Sequence, residues 1–209
     1  MLDFVKIKMA SKTRTNAIDA YPEFLVKPSK DLMIRGAKFY AIWDEEKQLW
    51  SRDESDVQRL IDDELYQFAE DNKDKFGDIH LKLMSDFSSN MWNTWQRYCK
   101  SLPDRYKELD TKVIFGNTEI KKSDYASKYL PYPIRESDIS AYDELMNTIY
   151  DPSERQKLEW AIGAVISGDS KAIQKFIVLY GGPGTGKSTV LRVIQKMFTG
   201  YWTMFDSTT

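Results

Sequence analysis

The sequence predicts an α+β fold, with a mainly helical N-terminal domain that carries a small β-hairpin and, after it, the beginning of an α/β domain. Apolar residues alternate with a period of two across 38–50, which is typical of paired strands. They recur every three or four positions across 51–76 and 140–166, which is typical of helices. A five-residue apolar run, Phe176–Tyr180, then meets a glycine-rich loop and another helical pattern, the order expected in an α/β domain.

The composition excludes several kinds of site. The 209 residues include one cysteine, Cys99, and one histidine, His80, which excludes an internal disulfide and a zinc site built from Cys and His alone. Cys99 is predicted to be a small core residue. The net charge of −2 does not favour nucleic-acid binding by the whole surface, but local basic patches remain open. The start lacks the apolar region of a signal peptide, and no run is long enough to span a membrane, so a cytoplasmic localisation is predicted.

Residues 1–35 are predicted to be an irregular N-terminal arm that packs against the next domain. Pro22 and Pro28 prevent a long helix in this segment. A slight excess of lysine and arginine leaves a DNA contact open as the less favoured alternative.

Residues 36–135 are predicted to form the mainly helical domain, which begins with the hairpin. An acidic turn separates the strand Phe39–Trp43 from a returning strand that contains Trp50. The helix predicted over 51–76 has an apolar face and a strongly acidic face. Such an acidic face is usually solvated, and Asp62 is therefore predicted to face water.

An aromatic stripe on the next helical stretch has two interpretations. It is more typical of a buried helix face, and stacking against nucleic-acid bases is the alternative. Its members are Met91, Trp92, Trp95 and Tyr98.

Basic residues are concentrated between 97 and 135, where the sequence predicts two short strands joined by a turn at Gly116-Asn117. The stretch YLPYPI, residues 129–134, is predicted to be extended because its prolines restrict the backbone, and it is a plausible domain boundary. Any DNA contact is expected in this basic segment, and the candidate residues are Lys121, Lys122 and Lys128.

The second domain is predicted to span 136–209 and to open with two helices. The second helix has strong local signals at both ends: Asp151 is suited to the N-cap, Pro152 to the first helical position, and Gly168 to a left-handed C-cap.

The stretch GGPGTGKS, from Gly181 to Ser188, matches the pattern G-x-x-x-x-G-K-[ST] of the Walker A loop, or P-loop. Strand, loop and helix occur in the required order, which disfavours a chance match. Lys187 is predicted to be the catalytic residue that contacts the β- and γ-phosphates of ATP, and the Ser188 hydroxyl to bind Mg²⁺. The predicted nucleotide-binding residues are Gly181, Gly182, Pro183, Gly184, Thr185, Gly186, Lys187, Ser188 and Thr189.

Residues 129–206 resemble the superfamily 3 helicase region of phage and large-DNA-virus primase-helicases of the poxvirus type. The features that carry the resemblance are Pro131, Pro133, Trp160, Gly163, Gly168 and Gly181–Ser188. The resemblance implies an AAA+ ATPase domain and an ATP-driven 3′-to-5′ DNA helicase that uses ATP and Mg²⁺. It also implies a ring-shaped hexamer around DNA, here expected to be single-stranded, with residues 36–135 as the collar that assembles the ring.

The resemblance covers only part of that family's machinery. Its Walker B acids, DNA-contacting hairpin and arginine finger would lie beyond Thr209, so this chain is expected to be the N-terminal portion of a longer protein and not to hydrolyse ATP at a useful rate alone. Asp206 is interpreted as a strand-end or loop residue and not as the Walker B acid. The alternative function is a stand-alone oligomerisation or DNA-binding module with a non-hydrolysing P-loop. A small nucleotide kinase is disfavoured because 180 residues precede Gly181.

Overall fold

The computed structural model describes residues 2–11 and 18–204. These residues form six α-helices and two three-stranded sheets, a mixed α+β architecture. The chain divides between Glu108 and Leu109 into two compact units, which we call the N-terminal and C-terminal units. The boundary predicted near residue 135 therefore lies inside the C-terminal unit.

The N-terminal unit begins with five strands, which are followed by a helix, a sixth strand and a second helix. In chain order they are β1 (Val5–Ser11), β2 (Ile18–Phe24), β3 (Leu32–Arg35), β4 (Lys38–Asp44), β5 (Leu49–Ser51), α1 (Glu54–Phe76), β6 (Ile79–Leu81) and α2 (Met91–Ser101). The unit as a whole is α+β, and three of its six strands, β1–β3, precede residue 36, where the predicted mainly helical domain begins.

The first sheet has the order β1–β2–β6, with β1 antiparallel and β6 parallel to β2. The irregular conformation predicted for residues 1–35 is therefore wrong for these strands. Pro22 lies within β2 opposite Ile7 of β1. It is tolerated there because β6 pairs only with residues 18–20, so the strand has a single partner at Pro22.

The second sheet has the order β3–β4–β5 and contains the predicted hairpin. Strands β4 and β5 are antiparallel, with Trp43 opposite Trp50, and the two rings meet edge to face at 5.7 Å between centroids. The hairpin prediction is confirmed. The sequence did not reveal that β3 pairs with the other edge of β4, where a bulge between Met33 and Ile34 shifts the register.

The core of the N-terminal unit combines aliphatic side chains with a cluster of aromatic rings. Trp95 and Tyr98 of α2 pack against Phe4, with ring centroids 5.8 and 6.3 Å from the Phe4 ring. The interpretation of the stripe as a buried helix face is confirmed for these two residues. Cys99 is buried beside them, as predicted, and burial raises the pKa of its thiol to about 12.

Asp62 corrects the interpretation of the acidic face of α1. Its carboxylate is buried, with only 5% of the residue exposed. It accepts hydrogen bonds from the Met84 amide at 2.6 Å, the Ser85 amide at 3.1 Å and the Ser85 hydroxyl at 2.6 Å. A carboxylate with three donors is tolerated in the interior because its charge is compensated. Through these hydrogen bonds, Asp62 links the segment between β6 and α2 to α1.

The C-terminal unit is built from helices. They are α3 (Ser140–Ile149), α4 (Pro152–Ser167), α5 (Ser170–Ile173) and α6 (Lys187–Met197). The end signals predicted for α4 are confirmed: the Asp151 carboxylate accepts hydrogen bonds from the first-turn amides, and Gly168 closes the helix with φ at 86°. Met146, Leu158 and Val190 bring α3, α4 and α6 together in one small core.

The two short strands predicted around Gly116 are wrong. Phe115 forms only an isolated parallel bridge with Leu130. The Asn117 side-chain amide exchanges hydrogen bonds with the Ile134 backbone, both at 3.1 Å, so the proline-rich stretch, and not a second hairpin strand, partners the turn.

The buried strand predicted at Phe176–Tyr180 is also wrong. The segment is assigned to no strand, and Phe176 and Tyr180 are 88% and 98% exposed. Only Leu179 packs against the core of the unit. A strand exists only where a neighbour accepts and donates its backbone hydrogen bonds, and the part of the C-terminal unit that the structure describes contains no other strand.

Candidate phosphate-binding loop

The loop from Gly181 to Gly186 leads directly into the first turn of α6. Gly184 and Gly186 have φ values of 79° and 78°, a left-handed conformation that side chains with a Cβ adopt only at a cost. Pro183 and Gly184 form the turn at its tip, and Gly182 has nothing within 4 Å of where a Cβ would stand. The loop is thus a tight, exposed turn that ends at a helix N-terminus.

Lys187 folds back over this loop. Its ammonium group donates hydrogen bonds to the Gly181 carbonyl at 2.7 Å, the Gly182 carbonyl at 2.6 Å and the Thr185 hydroxyl at 2.9 Å. The Thr185 hydroxyl in turn donates to the Gly182 carbonyl at 3.0 Å. The positive charge of Lys187 therefore lies against the carbonyls of the loop.

No acidic side chain of α6 itself neutralises the positive end of its helix dipole. Gly186 occupies the N-cap without a side chain, and the first turn contains no acidic residue. Ser188 and Thr189 follow Lys187 in this turn and are exposed. The positive end of the helix dipole and the first backbone amides therefore favour an anion at the loop.

Helix α3 supports the loop. A Cβ on Gly186 would stand only 2.8 Å from Ile149 Cδ1 and 2.9 Å from Ile149 Cγ1, so the loop backbone rests directly on the last residue of α3. The sequence reasoning missed Ile149, because the pattern of the loop says nothing about which residue of another helix lies against its glycines.

Arg155 is a second residue that the sequence reasoning missed. It joins α3 to α4 by donating to Asp143 Oδ1 at 2.5 Å, Glu159 Oε1 at 2.7 Å and Asn147 Oδ1 at 3.0 Å. Its guanidinium group also lies 5.5 Å from the centre of the Tyr142 ring. The spacing of Arg155 and Glu159 was a visible signal for one of these contacts. The network holds α3 in place, and α3 carries the residue on which Gly186 rests.

The three lysines predicted to contact DNA lie in the C-terminal unit, and acidic residues lie close to Lys121 and Lys128. Lys121 is exposed, but its backbone amide donates to Asp124 at 2.8 Å, and the Asp124 carboxylate also pairs with Lys112. This backbone hydrogen bond and the Lys112 contact lower the pKa of Asp124. Lys128 lies 3.7 Å from Asp110, and Lys122 is half-buried in a short turn. The surface around these residues is therefore of mixed charge.

Residues 2–11 and 18–204 show neither a metal cluster nor a membrane span. No group of three or more His, Cys, Asp or Glu side chains in them is arranged to hold a metal ion. None of their helices is long and apolar enough to cross a membrane. Asp206, considered as a Walker B acid, lies outside the described residues.

Comparison of the chain with protein-family models, curated proteins and solved structures finds no match.

Proposed function

We propose that the loop Gly181–Ser188 binds the phosphates of ATP together with Mg²⁺. The observation that carries this proposal is the position of Lys187, whose ammonium group is held across the loop by the Gly181 and Gly182 carbonyls, next to the uncapped N-terminus of α6. Glycines with left-handed backbone, an inward lysine and a helix N-terminus are the three parts of a phosphate cradle.

The residues of the loop have distinct roles in this proposal. The backbone amides of the loop and of the first turn of α6 donate to phosphate oxygens. Lys187 exchanges its carbonyl acceptors for β- and γ-phosphate oxygens, which are stronger acceptors because they are charged. Ser188, exposed one residue later, offers its hydroxyl to Mg²⁺. The ion neutralises charge on the phosphates when it is bound.

The larger function rests on the resemblance in residues 129–206. On that basis we propose that the chain belongs to an ATP-dependent replicative DNA helicase of the superfamily 3 type, with an AAA+ domain that begins in the C-terminal unit. Its partners would be single-stranded DNA and further copies of itself in a hexameric ring, in the cytoplasm. The N-terminal unit contains its own core and would serve as the collar.

Titration of the protein with a fluorescent ATP analogue in the presence of Mg²⁺ tests the proposal. Lys187→Ala is expected to abolish saturable binding, whereas Lys196→Ala, at the other end of α6, removes the same charge and is expected to bind like the wild type. Ser188→Ala is expected to remove the Mg²⁺ dependence of the affinity. Equal affinities for Lys187→Ala and Lys196→Ala would refute the assignment of the loop.

A further inference from the structure

The N-terminal unit presents two arginines that lie against tyrosine rings. The Arg35 guanidinium carbon is 4.7 Å from the centre of the Tyr106 ring and 5.8 Å from that of Tyr40. Arg52 approaches the same Tyr40 ring at 5.3 Å. The two rings touch edge to face, with centroids 5.3 Å apart. We call these four residues the tyrosine–arginine surface.

The second sheet holds this surface in place. Arg35 ends β3 immediately before the two-residue turn Gly36-Ala37, whose φ values of 59° and 56° are those of a tight hairpin. Tyr106 is fixed because its neighbour Arg105 exchanges two backbone hydrogen bonds with Ile34 of β3, both at 2.9 Å. Arg35 and Tyr40 therefore lie in β3 and β4, whereas Arg52 directly follows β5 and Tyr106 directly follows a residue bridged to β3.

The arginines of this surface differ from those that hold the fold together. Arg59 contacts the carboxylates of Asp44, Asp56 and Asp63, and Arg155 contacts two carboxylates in the same way. No carboxylate of residues 2–11 and 18–204 lies within ion-pair distance of Arg35 or Arg52, and both are exposed.

Asp104, an acidic residue near the turn after Arg35, is already engaged. Asp104 Oδ1 accepts a hydrogen bond from the Ala37 amide at 3.3 Å, in the turn after Arg35. Exposed Lys38 and Lys107 adjoin this surface in the sequence, as do the exposed acidic residues Asp53 and Glu108.

We propose that the tyrosine–arginine surface binds the phosphodiester backbone of a single-stranded nucleic acid. A guanidinium group that lies on an aromatic ring keeps its N–H edge available, and this planar edge matches phosphate oxygens. Stacked arginines and tyrosines also accept the flat faces of unpaired bases, which a duplex does not expose. An acidic peptide would pair with the two arginines, but its carboxylates would not stack on the tyrosine rings.

This proposal rests on the proposed function only in that it names a surface for the single-stranded DNA, and it does not depend on nucleotide binding. It also moves the expected nucleic-acid contact from the lysines of the C-terminal unit to arginines of the N-terminal unit, which lie against tyrosine rings.

The test is the anisotropy of a dye-labelled oligothymidylate titrated with the full chain between about 50 and about 200 mM NaCl. The double variant Arg35→Gln/Arg52→Gln is expected to bind more weakly and with a shallower salt dependence. Each lost contact to a single strand reduces the slope of log K against log salt by about 0.7, so two contacts reduce it by about 1.4. If the plots of log K against log salt for the wild type and the variant meet at 1 M salt, the change in slope corresponds to about 25-fold weaker binding at 0.1 M.

Matched variants separate this site from a general charge effect. Lys73→Gln/Lys157→Gln removes the same net charge from exposed lysines and is expected to bind like the wild type. Arg35→Lys/Arg52→Lys keeps the charge but loses the planar edge, so an intermediate affinity is expected. Far-ultraviolet circular dichroism checks that each variant is folded.

Three results would overturn the proposal. One is an unchanged affinity of folded Arg35→Gln/Arg52→Gln, and another is an equal loss in the Lys73→Gln/Lys157→Gln control. The third is competition by polyglutamate that equals competition by unlabelled oligothymidylate at the same charge concentration, which would identify the surface as a site for acidic peptides.

Discussion

Substitution of Gly186 by alanine tests how the loop is supported. The new Cβ would meet Ile149 Cδ1 at 2.8 Å and Cγ1 at 2.9 Å, distances that require the Ile149 side chain or the loop to move. The backbone φ of 78° adds a second cost, because alanine is disfavoured in the left-handed region. The left-handed conformation costs about 1–2 kcal/mol. Overpacking against the end of a side chain that can still rotate costs about 1–2 kcal/mol more. The total expected loss of local stability is therefore about 2–4 kcal/mol.

Two neighbouring glycines separate these costs. Gly184 has the same left-handed backbone but open space around its Cβ position, so Gly184→Ala is expected to lose only the conformational part. Gly182 has neither a positive φ nor a close neighbour, so Gly182→Ala is expected to be nearly neutral. The double variant Gly186→Ala/Ile149→Ala removes the clash and is expected to show less than the sum of the two single losses.

Hydrogen exchange of the α6 amides, measured without nucleotide, is the suitable assay because it reports opening of one helix in a chain with two units. The expected order of destabilisation is Gly186→Ala, then Gly184→Ala, then Gly182→Ala. The reasoning is refuted if Gly186→Ala opens α6 no more than Gly184→Ala does, since the contact with Ile149 would then have no energetic effect.

Two carboxylates of the N-terminal unit give further predictions. Asp62→Ala leaves the buried donors of the segment after β6 without an acceptor and should lower the free energy of unfolding in urea by about 2–4 kcal/mol. Exposed Asp63→Ala is the control and should change it by less than about 0.5 kcal/mol; similar losses would contradict the burial of Asp62. Burial tends to raise the pKa of Asp56, but hydrogen bonds from Ser51, Lys47 and Arg59 outweigh it and leave that pKa lowered. A lowered native pKa means that the stabilisation is present above the unfolded pKa, near 4, and is lost as the pH falls. The melting temperature should therefore fall below pH 4 less steeply in Asp56→Asn than in the wild type, and parallel curves would exclude this role.

The features that the sequence predicted correctly are those specified by adjacent residues. Asp151, Pro152 and Gly168 define the ends of α4 without help from any other part of the chain, and the β4–β5 hairpin follows from alternation and one acidic turn. The glycine, lysine and serine positions of the loop are equally local. Their order relative to α6 could therefore be predicted, although the acceptors of Lys187 could not.

The features that were missed depend on residues far apart in sequence. Asp62 lies on a helix face that looks solvated until Met84 and Ser85, 22 and 23 residues later, supply donors. Pro22 suggested an irregular segment because the sequence does not show that β6 stops pairing before reaching it. The Phe176–Tyr180 run has the composition of a buried strand, but pairing requires a neighbour that composition does not specify.

The exposed Phe176–Tyr180 segment also has a consequence for the solubility of the protein. Five consecutive residues of high β-propensity, with no charge and no proline, lie mostly outside any core, and only Leu179 is anchored. Segments of this kind pair with identical copies and seed cross-β aggregates. Lys175 on one side is the single adjacent charge that opposes such stacking, since Gly181 follows on the other. Preparations of this chain should therefore lose solubility with rising concentration, and a charged residue in place of Val178 should delay that loss.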